Sequence, residues 1–88
     1  MAEITVRPEG AGRFSVRVNE QGSTTEHTVS VSTEDLERLG AGRAPEGFIT
    51  ACFGFLLERE SKESILRSFD VGEIGRYFPE FETEIVRR

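Results

Sequence analysis

The sequence predicts an α+β domain: a three-stranded antiparallel meander followed by three to four helices packed on one face. Three observations predict it. Apolar and polar residues alternate over the first third of the chain; that period changes at Ser32; and one later segment is apolar around more than half of a helical circumference. A chain of 88 residues suffices for one such domain, spanning the whole sequence, and is too short for two.

In the first third, Ile4 and Val6, then Phe14, Val16 and Val18, then Val29 and Val31 recur at every second position. A period of two sends them all to one face of a sheet. The residues between them, among them Thr5, Arg7, Arg13, Ser15, Arg17, Glu26 and Thr28, are polar. A sheet with one wet face and one dry face is antiparallel in character. The connections, Pro8 to Gly12 and Asn19 to Ser23, are rich in turn formers and too short for a parallel crossover. Strands are therefore expected at about 2–7, 13–19 and 25–31.

From Ser32 the pattern turns helical. Ser32 suits an N-cap, with Glu34 and Asp35 in the first turn, Leu36 and Leu39 as a short apolar stripe, and Gly40 as the terminator. Pro45 suits the first position of a second helix over about 45–60. At about 100° per residue, Phe48, Ile49, Ala51, Cys52, Phe53, Phe55, Leu56 and Leu57 form one continuous arc. So wide an arc requires burial on two sides, by the sheet and by the C-terminal helices. Gly47 and Gly54 fall on the remaining strip, where close approach of another backbone is expected, with a shallow ligand-facing groove as the alternative. Ser61 begins a further expected helix with Ile65, Leu66 and Phe69 on its apolar side. Asp70 and Glu73 are spaced to cap a helix over about 71–78. In the tail, Phe81 and Ile85 suggest a helix, although Phe81, Thr83 and Ile85 also alternate as a fourth strand would.

Composition narrows the function. The net charge is −5 and is spread evenly along the chain, which disfavours a general nucleic-acid binder. No apolar run is long enough for a membrane span, and the first ten residues lack the features of a signal peptide. A cytoplasmic location is expected. One Cys excludes an intrachain disulfide, and one His with scattered acids is poor material for a metal site. Neither Gly-Ala-Gly segment has the residues of a phosphate or dinucleotide loop. No cofactor or metal is expected.

Catalytic candidates are few. His27 is expected at the rim of the inner sheet face, beside several threonines but without a defined nucleophile or orienting group. Cys52 lies mid-helix on the apolar arc, where burial raises a thiol's pKa. Glu58, Glu60 and Glu63 alternate with Arg59 and Lys62 as a solvated helix end does. No enzymatic role is expected. Two surfaces stand out instead. Arg7, Arg13 and Arg17 share the outer sheet face and form a candidate anion or RNA contact. Tyr77, Phe78 and Phe81 put three aromatics into five residues, more than one small helix buries on a single face, and form a candidate partner interface.

The order of a sheet followed by helices, together with the chain's size, resembles HicB-type antitoxin domains; no sequence motif contributes to that resemblance. The favoured reading is a non-enzymatic protein-interaction module, as a homodimer or as the smaller member of a complex. The alternative is a nucleic-acid-contacting or antitoxin-like regulatory domain that uses the outer sheet face.

Overall fold

A computed structural model describes residues 2–88. Strands β1 (Glu3–Gly10), β2 (Arg13–Glu20) and β3 (Ser23–Ser30) form the expected antiparallel meander. They run longer than the alternation alone suggests, because two-residue turns join them. At the second turn Gln21 and Gly22 both have positive φ, 54° and 80°, a pair that matches the twist of a hairpin. Register pairs Val6 with Val16 and Val16 with His27, and Phe14 with Val29. The inner face is thus continuous across three strands.

The first turn is also tied to the third strand. Gly12 has a φ of 69°, and its carbonyl accepts the Val31 amide at 2.8 Å. A Cβ at Gly12 would lie 2.8 Å from the Val31 carbonyl oxygen. Gly12→Ala therefore combines an unfavourable φ with a backbone clash, and is expected to destabilise by about 2 kcal/mol. The midpoint of urea unfolding checks it.

Helix α1 (Thr33–Leu39) starts where Ser32 Oγ accepts the Asp35 amide at 3.0 Å and ends at Gly40. Helix α2 (Pro45–Leu57) begins with Pro45 in its first turn and stops three residues short of the expected end. Its arc is buried on two sides, as anticipated. Phe53 meets the sheet through His27 and Phe69, with ring centroids at 5.3 and 5.9 Å. Phe55 meets the C-terminal segment through Phe78 and Phe81, at 6.0 and 5.1 Å. Among the described residues, no other backbone approaches Gly47 or Gly54. A Cβ at Gly47 would meet nothing within 4 Å, and one at Gly54 only the Arg88 guanidinium at 3.9 Å.

The main departure from expectation lies between Ser61 and Asp70. Instead of a helix, a single 3-10 turn (Lys62–Ser64) leads into a short strand, β4 (Ser68–Asp70), which pairs with β3 in parallel. Ile65 and Phe69 are four apart, a spacing that puts residues on one face of a helix and of a strand alike. Tertiary pairing decides between them: the Thr28 amide donates to the Arg67 carbonyl at 2.7 Å, and His27 Nδ1 donates to the Leu66 carbonyl at 2.8 Å. The fourth strand therefore lies here and not in the tail.

A capping box follows, as the Asp70 and Glu73 spacing predicts: Asp70 Oδ2 accepts the Gly72 amide, and Glu73 Oε2 accepts the Asp70 amide. A 3-10 turn (Val71–Glu73) runs into α3 (Ile74–Tyr77), and the tail forms α4 (Phe81–Arg87) with Phe81 and Ile85 buried. No helix among the described residues is long and apolar enough to cross a membrane.

Charged side chains clamp α4 to the end of α2. The Arg59 guanidinium lies 3.6 Å from the Phe55 ring centroid and donates to Glu80 and Glu84, each at 2.9 Å. Arg88 donates to Glu58 at 3.0 Å, and Arg38 of α1 to Glu82 at 2.8 Å. The segment around Arg59 and Lys62 is therefore not simply a solvated helix end. Lys62 is 5% exposed, with its ammonium 2.8 Å from Glu63.

These hydrogen bonds hold the Glu58, Glu80 and Glu82 carboxyls below the usual carboxylate range, through Arg88, Arg59 and Arg38 respectively. A carboxyl whose folded pKa is depressed adds stability above its unfolded pKa, near 4.3 for Glu, and loses it as pH falls through the folded value. Urea midpoints are thus expected to fall on acidification below about pH 5. Arg59→Met is expected to flatten that dependence by freeing Glu80.

Candidate functional site

An apolar cleft of about 200 Å³ opens where the C-terminal end of α2 meets the 61–69 segment and α3. Leu56, Ile65, Phe69 and Ile74 line it as buried core residues. Leu66, Tyr77 and Phe78 carry it outward, with Leu66 49% and Tyr77 65% exposed. Its polar lining is Ser64, Glu60 and Glu73.

Local structure explains each placement. His27 and Thr28 hold the backbone of residues 66 and 67 outside any helix, and the Leu66 side chain is left in solvent. The capping box starts the turn into α3, which buries Ile74 and leaves Tyr77 on the outside. Glu60 follows the last turn of α2, where its amide donates to the Leu56 carbonyl at 2.9 Å. The residue is half-buried, and burial raises its carboxyl pKa.

The aromatic cluster is divided by the fold. Tyr77 and Phe78 line the cleft. Phe81, expected with them at an interface, is 1% exposed and packs edge-on against Phe55. The first turn of α4 points it inward, to the core rather than the cleft.

The outer-face arginines are also divided. Arg7 and Arg17 line a shallow hollow of about 100 Å³ with Thr5, Ser15 and Glu26. Arg17 pairs with Glu26 across the strands at 3.3 Å. Arg13 does not line the hollow, and its register partners are Gly10 and Ser30.

His27 is not at the rim but inside, 3% exposed. A carbonyl only accepts, so the bond to Leu66 places a proton on Nδ1; in the neutral imidazole Nε2 accepts from Thr25 Oγ1 at 2.9 Å. Hydroxyl, imidazole and carbonyl thus form a chain in the order that activates a nucleophile. Neither Thr25 nor His27 lines the cleft or the outer hollow. The chain instead fastens the 61–67 segment to the sheet. Cys52 is buried, and burial pushes its thiol up to about 12. Among the described residues, no group of three or more His, Cys, Asp or Glu is disposed to hold a metal ion.

Sequence reasoning missed Glu60 and Leu66 as site residues. Glu60 sits in a run of mixed charges with nothing to distinguish it. Leu66 falls on the apolar side of an expected helix that does not form, so its exposure beside the cleft could not be read from spacing. Comparison with protein-family models, with curated proteins and with solved structures gave no match.

Proposed function

We propose that the protein is a non-enzymatic interaction module that takes an apolar anchor of a partner protein into the cleft at the end of α2. The observation that carries this reading is the exposure of Leu66 and Tyr77 beside a mostly apolar hollow. Large exposed apolar side chains grouped around a concavity mark interaction sites or ligand-binding grooves. The cleft's size supports the same reading. Cofactor and substrate pockets run to roughly 300–1,000 Å³, whereas a cavity of about 150 Å³ accepts one benzene-sized group. About 200 Å³ suits a single Leu or Phe side chain.

A nucleic-acid-contacting or antitoxin-like role for the outer face has less to support it. Glu26 offsets Arg17 there, and Arg13 stands apart. The test of the favoured reading is a paired capture from native lysate, with the wild-type chain and with Leu66→Asp/Tyr77→Asp as baits. Both side chains are exposed, so the variant is expected to keep its circular dichroism and unfolding midpoint. A partner held by the wild type is expected to be lost from the variant. Equal retention by both would overturn the reading.

A further inference from the structure

The charge around the cleft indicates the partner's chemistry. At this end of the molecule Glu58, Glu63, Glu80 and Glu84 are each paired with an Arg or Lys. The Glu60 carboxylate has no hydrogen-bond or ion-pair partner among the described residues, although the side chain is half-buried and lines the apolar hollow. Glu73 is the second carboxylate of the lining, and no cation among the described residues lines it. A partly desolvated carboxylate without a counter-charge costs stability. Such a cost is characteristic of sites shaped for a ligand more than for the fold.

We infer that the cleft accepts a basic amphipathic segment of a different protein, in which an apolar anchor lies next to a Lys or Arg that pairs with Glu60. This rests on the interaction-module reading above. The anchor fills the hollow over Leu56, Ile65 and Phe69, and the neighbouring cation supplies the counter-charge that none of the described residues does. A second copy is the poorer occupant: docked face to face about a two-fold axis it would bring a second Glu60 and Glu73 toward the first pair. The net charge of −5 opposes self-association in the same direction.

Tyr77 gives a direct readout, because it is the sole Tyr and the chain has no Trp. Two short synthetic peptides without aromatic residues serve as probes, a Leu/Lys amphipathic sequence and a Leu/Glu sequence with the same Leu pattern. Near physiological salt, the Leu/Lys peptide is expected to change Tyr77 emission saturably, and the Leu/Glu peptide to leave it unchanged. Glu60→Gln is expected to weaken Leu/Lys binding about tenfold, the scale of one charge-assisted contact. Glu9→Gln, which removes an equal charge from the opposite edge of the sheet, is expected to weaken it less than about twofold. Equal binding of the two peptides, or equal effects of the two substitutions, would overturn the charge inference and leave the docking reading standing. Binding of neither peptide would overturn both.

Discussion

Phe55→Ala is expected to cost about 4 kcal/mol, close to the upper range for removing a buried aromatic ring. Phe55 is fully buried and packs edge-on against both Phe78 and Phe81. Its other face carries the Arg59 guanidinium at 3.6 Å. Truncation therefore opens a cavity, removes two aromatic contacts, and releases the cation that holds Glu80 and Glu84. Against a total stability of roughly 5–15 kcal/mol for a native domain, a loss of this size depletes the folded state near physiological temperature. Urea unfolding followed by circular dichroism measures it. Phe55→Leu, which keeps most of the volume, is expected to cost less than about 2 kcal/mol. The Arg59 contribution is separable by a double-mutant cycle: Arg59→Ala in the Phe55→Ala background is expected to cost about 1 kcal/mol less than in the wild type.

His27→Leu is the second large effect, expected at about 3 kcal/mol. Leu fills similar space against Phe53 but cannot donate to the Leu66 carbonyl. That carbonyl and the Thr25 hydroxyl lose their partners together. The consequence is local as well as global. The 61–67 segment is held to β3 by this bond and by the Thr28 amide on Arg67, so protection of the Thr28 amide from hydrogen exchange is expected to fall more than that of amides between β1 and β2. Thr25→Val, which removes only the hydroxyl, is expected to cost about 1 kcal/mol. Because Ser64, Ile65 and Leu66 line the cleft, His27→Leu is also expected to weaken peptide docking without touching the docked peptide.

The framework of the fold was legible because its signals were redundant. Over β1 to β3, alternation, turn residues and connection length all agree. In α2 the width of the apolar arc reports burial on both sides, which Phe53 and Phe55 then realise toward opposite neighbours. At Ile65, Leu66 and Phe69 the signals conflict. A separation of four fits both periods, and the deciding contacts, from His27 and Thr28, lie about forty residues away in the chain. The site was half legible for the same reason. Tyr77 and Phe78 stood out as a dense aromatic run, whereas Glu60 and Leu66 acquire meaning only when three separate elements close around one hollow.

Photocrosslinking from position 77 tests the central claim most directly. A benzophenone side chain in place of Tyr77, introduced in the native organism, is expected to trap a partner protein that the same group at Arg17 on the outer sheet does not. Trapping from position 17 with none from position 77 would contradict the assignment of the cleft as the docking surface.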